Sequence, residues 1–181
     1  MKTLGVLLLF LVIMTGCAAT QTPKTAQPEA EKVVLSNKLQ FHNLTFKLHE
    51  LVDVDATYHT QAELQAMVQS KLQKLLEAKH LLTDDPRANT LVIKVNYERR
   101  FVGDKTPIPS NALAYPSYGY RIDVMDGDTL LTSIVQDTKN FRGGLAMSKQ
   151  VVTKSLNDKR YENTFINAVV KDIFKSIESL F

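Results

Sequence analysis

The fold is decided by the sequence LVIKVNY, which spans residues 91–97. Large apolar side chains alternate with mostly polar ones along this stretch, and the apolar positions are Leu91, Ile93, Val95 and Tyr97. Successive side chains of a β-strand point to opposite faces of its sheet. The stretch therefore predicts a strand with one face in a core and the other face in contact with water or with a partner.

Three further strands are predicted around this one. Residues 44–48 and residues 118–124 alternate apolar and polar side chains in the same way. Asp126-Gly127 is typical of a tight hairpin turn, so residues 129–138 should form a last strand that pairs with the strand before the turn.

The predicted first strand contains an irregularity. Leu39 and Phe41 lie on the opposite parity to Leu44, so a regular strand would place them on opposite faces of the sheet. One extra residue at His42-Asn43 would bring all three to the same face. We therefore expect a β-bulge at this dipeptide.

Two amphipathic helices are predicted. Thr60 and Glu63 have the spacing of a capping box, in which a hydroxyl and a carboxylate satisfy free N–H groups at the start of a helix. The apolar stripe that follows consists of Leu64, Val68, Leu72, Leu75 and Leu76. A second helix is expected over residues 158–180. Its stripe consists of Ile166, Val170, Ile173, Ile177 and Leu180, widened by Phe165, Val169 and Phe174. The pattern of residues 145–156 is ambiguous.

The order of these elements indicates the fold class. A strand, a helix, a strand, a hairpin and a final helix predict a two-layer α+β sandwich, with a mostly antiparallel sheet of about four strands. Both amphipathic helices would cover one face of the sheet. The polar positions of the strands would leave the other face wet or available to a partner.

The amino terminus reads as a secretory signal. Lys2 precedes an apolar run over residues 4–13, which is too short to span a bilayer comfortably. Cys17 is the only cysteine, and Met14-Thr15-Gly16-Cys17-Ala18 resembles the lipobox of bacterial lipoproteins, with Met14 where leucine is usual. The resemblance implies cleavage before Cys17 and acylation of both its thiol and its new amino group. An ordinary signal peptide or an N-terminal membrane helix is the alternative.

The resemblance also implies a location and a domain plan. In enterobacterial lipoproteins an Asp after the cysteine favours the inner membrane, so Ala18 implies the outer membrane. We expect the protein to face the periplasm, and exposure at the cell surface is the alternative. Residues 1–16 would be the signal peptide, and residues 17–32 the lipidated cysteine with a flexible tether that lacks large apolar side chains. Residues 33–181 would form a single α+β domain, held to the membrane through acyl chains on Cys17.

Charge and motifs exclude several functions. The formal charge is +3, and +2 without Lys2, which gives no electrostatic case for nucleic acid. The four histidines have neither the helical spacing nor the neighbouring carboxylates of a zinc site, so no metal is expected. The sequence lacks a nucleophile elbow, a phosphate-binding loop and a dinucleotide fingerprint. We expect no catalytic residues and no cofactor, and thus a protein that is not an enzyme.

One connection is far longer than a hairpin needs. Residues 103–120 hold half of the prolines and half of the tyrosines, and Arg100 lies beside them. Tyrosine offers an apolar ring and one polar group, which suits contact surfaces. Tyr115, Tyr118 and Arg100 are therefore candidate contacts for a partner. The alternative is a loop that packs its tyrosines on its own sheet, since Tyr118 shares the parity of the buried strand face.

A lipobox, a short tether and two helices on a small sheet together resemble small bacterial envelope lipoproteins. These include uncharacterised lipoproteins of this size and auxiliary lipoproteins of envelope transport systems. The resemblance implies a non-catalytic interaction or structural component of the envelope, with an envelope protein as its partner. The alternative is a carrier, or an auxiliary transport subunit, that shelters a lipid-like ligand. A filled core would favour the first hypothesis, and an open apolar cavity the second.

Overall fold

The computed structural model describes residues 35–54 and 57–181. Three predictions lie outside the described residues: the signal peptide over residues 1–16, the acylation of Cys17, and the tether that ends at residue 32. They stay predictions. The described part contains four strands and three helices.

The elements follow one another in an order close to the predicted one. They are β1 (Gln40–Glu50), α1 (Gln61–Ala78), β2 (Thr90–Arg99), β3 (Ser117–Asp126), β4 (Thr129–Asn140), α2 (Leu145–Val152) and α3 (Arg160–Glu178). The sheet order is β1-β2-β3-β4. β1 runs parallel to β2, and the other two pairings are antiparallel. The predicted two-layer α+β sandwich is confirmed, with α2 as a third helix.

The bulge in β1 is confirmed at its predicted position. The pairing with β2 shifts between Phe41 and Asn43, so one residue is left over on β1. After the shift Leu44 and Phe46 are each only 1% exposed. The extra residue therefore keeps the apolar side chains on the core face of the sheet.

The start of α1 is fixed by the predicted capping box. The Glu63 amide donates to the Thr60 hydroxyl at 3.2 Å, and the Thr60 amide donates to the Glu63 carboxylate at 2.7 Å. α1 buries Leu64, Val68, Leu72 and Leu76. The placement of Leu75 on this stripe was wrong, because the buried positions recur every four residues and leave Leu75 38% exposed.

A filled core lies where α1 and α3 meet the sheet. The strands contribute the core side chains Leu44, Phe46, Leu91, Ile93, Val95, Tyr97, Tyr118, Tyr120, Ile122 and Val124. α3 contributes Ile166, Val169, Val170, Ile173, Phe174 and Ile177. A second cluster, formed by Tyr58, Phe101, Leu113, Leu156 and Phe165, packs under the long connection between β2 and β3.

The outer edge of β1 is closed by side chains of α1. The Phe46 amide donates to the Gln65 side-chain oxygen at 3.2 Å, and the Leu48 amide donates to the Gln61 side-chain oxygen at 3.0 Å. An edge strand with free amides is a template for pairing with another chain. The two glutamines therefore remove part of that template on the β1 side of the sheet.

Candidate functional site

The long connection between β2 and β3 is an ordered, hydrogen-bonded loop. Its two arms meet where the Val102 amide donates to the Ala112 carbonyl at 2.9 Å and the Ala114 amide donates to the Arg100 carbonyl at 2.8 Å. The Leu113 amide donates to the Leu156 carbonyl at 2.7 Å and so ties the loop to the segment after α2.

Arg100 is engaged within this loop. Its guanidinium makes two hydrogen bonds to the Asp104 carboxylate and lies 3.5 Å from Glu98. The hydrogen bond from Arg100 outweighs the effect of burial and lowers the pKa of Asp104 below its ordinary value. The Asp104 carboxylate therefore fixes the position of the Arg100 side chain. The contact of Arg100 with a partner stays a prediction.

Tyr115 is half-buried between the loop and α2. Its ring lies 5.7 Å from the Phe141 ring, and its hydroxyl is 2.9 Å from the Ser148 hydroxyl on α2. A Cβ at Gly143 would lie 2.5 Å from the Tyr115 hydroxyl, so a side chain there would require the Tyr115 ring to move. The ring thus joins the loop, the end of β4 and α2.

Tyr118 lies on β3 and is only 4% exposed. Its hydroxyl donates to the Asp172 carboxylate of α3, and the Lys139 ammonium lies 5.3 Å from its ring centre. Lys139 also lies 2.5 Å from Asp172. Burial and the bond to Asp172 raise the pKa of Tyr118 above its ordinary value. Tyr118 packs on its own sheet and helix, as the alternative for this loop expected.

The carboxylate of Asp172 is the centre of this group. Burial opposes its ionisation, but the hydrogen bonds from Lys139 and Tyr118 outweigh burial and lower the pKa of Asp172. A surface cleft of about 640 Å³ lies beside the group, and its lining includes Tyr118, Lys139 and Arg142. The negative charge of Asp172 is therefore balanced by Lys139, and Tyr118 donates a further hydrogen bond to it.

Arg99, at the end of β2, forms a second and deeper polar group. Its guanidinium donates to Glu162 of α3 and to Glu50 of β1, each at 2.7 Å, and to the His59 carbonyl. The Arg99 side chain is 5% exposed and the Glu162 side chain 0%. Burial would lower the pKa of Arg99, but the two carboxylates outweigh burial and raise it.

Tyr58 and His59 lie beside this ion pair. The Arg99 guanidinium lies 5.5 Å from the Tyr58 ring centre, and burial together with Glu162 raises the pKa of Tyr58 to about 12. The His59 amide donates to Glu162 at 3.0 Å, whereas neither ring nitrogen of His59 has a hydrogen-bond partner in the described part of the chain. A cleft of about 430 Å³ opens beside Glu50, Tyr58 and His59.

Sequence reasoning missed this ion pair. Neither Arg99 nor Glu162 was singled out from the sequence. A signal existed, because Glu162 precedes Ile166 by four residues and so lies on the apolar stripe of α3. A carboxylate at such a position requires a partner.

The described residues show neither a metal centre nor a membrane-spanning helix. Among residues 35–54 and 57–181, no group of three or more His, Cys, Asp or Glu side chains is placed to hold an ion. None of the described helices has the length and hydropathy that crossing a bilayer requires. His42, His49 and His80 are exposed.

No protein-family model matches the sequence, and no curated protein sequence matches it. Solved structures with some similarity include a minor lipoprotein from Acinetobacter baumannii, 11% identical over 79% of this chain and 94% of its own, with a TM-score of 0.39. Rare lipoprotein B from Shewanella oneidensis is 15% identical over 76% of this chain and 96% of its own, with a TM-score of 0.31. A PelC dodecamer from Paraburkholderia phytofirmans is 12% identical over 68% of this chain and 86% of its own, with a TM-score of 0.29. At these identities and TM-scores the similarity assigns neither a family nor a function.

Proposed function

We propose that the protein is a lipid-anchored component of the bacterial cell envelope with a non-catalytic role. Acyl chains on Cys17 hold it to the periplasmic face of the outer membrane, and its folded domain contacts another envelope protein. The observation that carries this proposal is the lone Cys17 in the sequence Met14-Thr15-Gly16-Cys17-Ala18, directly after a short apolar segment.

The permanence of the anchor follows from the chemistry of acylation. Each buried methylene contributes about 0.8 kcal/mol to membrane binding, and a single chain holds a protein only marginally. Acylation of both the thiol and the amino group of Cys17 supplies more than one chain. The domain would therefore act close to one membrane rather than diffuse between two.

The packing supports an interaction protein over a lipid carrier. Side chains fill the layer between the helices and the sheet, where Leu64, Ile93, Ile166 and Ile173 are each 0% exposed. A cleft of about 640 Å³ beside Lys139 lies at the surface and has charged residues in its lining. A carrier needs an apolar cavity, whereas this core has the filled packing that the interaction hypothesis expects.

We propose the loop between β2 and β3 as the contact surface for the partner. Its outer end, residues 105–108, is exposed, and the Ile108 side chain is 87% exposed. The hydrogen bonds of Arg100 and Tyr115 hold the base of the loop, which lowers the entropy lost when a partner binds. Arg100 and Tyr115 remain proposed contacts at the base of the loop, whereas Tyr118 is only 4% exposed and would contribute through the packing of β3.

The anchor is tested by Cys17→Ser. This variant should take up no fatty-acid probe and should remain as precursor or leave the membrane fraction, whereas wild type is labelled and sediments with membranes. A variant that is labelled and fractionates like wild type would contradict the proposal.

The contact surface is tested by site-specific photo-cross-linking in cells. A cross-linker at Ile108 should capture an envelope protein, and the same cross-linker at the exposed Lys74 of α1 should not. Equal capture from both positions, or none from Ile108, would contradict the assignment of the loop.

A further inference from the structure

Residues 141–160 form a basic surface segment that includes α2. The segment contains five basic residues and one acidic residue, Asp158, although the whole chain has a formal charge of only +3. The basic residues are Arg142, Lys149, Lys154, Lys159 and Arg160, and all five are exposed. Arg160 is paired with Asp158 at 2.9 Å. Within the described part of the chain the other four form no ion pair, although Lys159 lies near enough to Asp158 and Glu63 to help lower the pKa of both carboxyls.

The outward face of α2 adds apolar side chains to this charge. Leu145, Lys149 and Val152 follow the i, i+4, i+7 spacing of one helix face. Leu145 is 92% exposed and Val152 is 80% exposed. Large aliphatic side chains exposed to this degree on a short helix, with a lysine between them, form an amphipathic surface that faces away from the domain.

The inward face of α2 holds this surface in place. Met147 and Val151 pack against the second cluster, and the Ser148 hydroxyl lies 2.9 Å from the Tyr115 hydroxyl. α2 is therefore fixed to the domain on one side and, among the described residues, exposed on the other. Sequence periodicity alone left this segment ambiguous, because its inward residues are only partly buried and its outward residues include apolar ones.

We propose that the outward face of α2, formed by Leu145, Lys149 and Val152, docks on an anionic phospholipid membrane together with the exposed cations Arg142 and Lys154, which flank the helix. Helices that lie in a membrane interface combine aliphatic side chains, which enter the boundary between headgroups and acyl chains, with lysine and arginine at headgroup level. Each basic residue near an anionic surface strengthens binding about fivefold. Leu145 and Val152 supply the aliphatic side chains, and the neighbouring lysines and arginine supply the positive charge.

A membrane is favoured over a protein partner because the proposed anchor would hold this surface close to a bilayer. The inference rests on the proposed function, because a lipid on Cys17 would hold the domain to a bilayer through the tether predicted for residues 18–32. A random-coil tether of that length would have a root-mean-square extension of roughly 20–23 Å. The outward face of α2 would then be at high effective concentration near lipid headgroups, so even weak docking would be populated.

The test uses the mature protein in vesicles, with one environment-sensitive fluorophore on the thiol introduced by Ala146→Cys. Ala146 is exposed on α2, and an acylated Cys17 has no free thiol to react. In phosphatidylglycerol vesicles at low salt the emission should shift to the blue and resist an aqueous quencher. In phosphatidylcholine vesicles neither effect should appear. The same emission in both lipids would overturn the proposal.

Charge variants provide the matched control. Lys149→Glu with Lys154→Glu should lower docking at least about 25-fold, since each lysine contributes about fivefold. Lys47→Glu with Lys94→Glu makes an equal charge change at exposed positions of β1 and β2 and should leave the blue shift intact. Equal losses in both double variants would show only a response to total charge and would overturn the assignment to α2.

The anchor and the docking surface can fail separately. Fluorophore found on Cys17 by mass spectrometry would show a free thiol and contradict the lipid anchor. The fluorophore at position 146 would still report on α2, because excess phosphatidylglycerol vesicles can bind unanchored protein through this surface. No blue shift at position 146, together with cross-links from that position to an envelope protein, would overturn the membrane assignment and give the surface to a protein partner.

Discussion

Arg99 and Glu162 form a buried ion pair, with 2.7 Å between Nε of the arginine and Oε1 of the glutamate. The pair joins the last residue of β2 to the first turn of α3. The second carboxylate oxygen of Glu162 accepts the His59 amide at 3.0 Å, so the residues before α1 are held at the same point. This contact therefore fixes the sheet and both long helices at one end of the domain.

Removing the cation of this pair should destabilise the domain strongly. Arg99→Met would leave Glu162 charged, 0% exposed and without its guanidinium partner. Breaking a buried pair on one side costs about 3–5 kcal/mol. Urea denaturation should show this loss in the free energy of unfolding. Arg121→Met is the matched control, because Arg121 pairs with Asp123 while 46% exposed and should lose at most about 1 kcal/mol.

A carboxylate on the central stripe of α3 should also be severely destabilising. Val170 is 2% exposed and packs in the main core, so Val170→Asp would bury an acid with no partner. We expect a loss of several kcal/mol. Lys171→Asp introduces the same side chain at the exposed neighbouring position. Equal melting temperatures for the two variants would show that α3 does not pack on the sheet through Val170.

The sequence predicted the regular elements and missed contacts between residues distant along the chain. The alternation over residues 91–97, the capping box at Thr60 and the bulge at His42-Asn43 are local patterns, and all three are confirmed. α2 contacts the rest of the domain through Met147, Val151 and the hydrogen bond between Ser148 and Tyr115, and no local periodicity reveals these contacts.

The candidate site was predictable only in part. The parity of Tyr118 already indicated its burial, and the structure places it 4% exposed. Its partners, Lys139 on β4 and Asp172 on α3, are charged residues that sequence patterns assign to the surface. Glu162 lies on the apolar stripe of α3, so its burial could be predicted, but its partner Arg99 could not. Buried charges are paired by the tertiary fold, and the pairing partner is not encoded in local spacing.

Gly119 should tolerate no side chain because β4 crosses close to it. A Cβ at this position would lie 2.9 Å from the Gln136 carbonyl oxygen and 3.2 Å from the Thr138 amide nitrogen. Both atoms are backbone, so the strand itself would have to move. Gly119→Ala should cost about 1–3 kcal/mol. Gly144→Ala is the control, since a Cβ there meets nothing within 4 Å. A thermal melt in which the two variants unfold together would contradict this packing.

Asp172 should make the stability of the domain sensitive to acid. Its pKa is lowered in the folded state, so its contribution is present above the pKa of the unfolded chain and is lost as pH falls through the folded value. Asp172→Asn should therefore lose stability at pH 7 and lose less than wild type on acidification below about pH 4. Urea midpoints at both pH values give the comparison. Parallel pH profiles would show that the contacts with Lys139 and Tyr118 do not stabilise the ionised form.

The proposed lipid anchor at Cys17 is tested most directly by the intact mass of the protein extracted from the membranes of cells that express the full chain. We expect a chain that begins at Cys17 and carries the added mass of acyl chains on its thiol and amino group. Digestion should place all of that mass on the peptide that contains Cys17. A membrane-extracted chain that begins elsewhere, or one that begins at Cys17 with no added mass, would contradict the account.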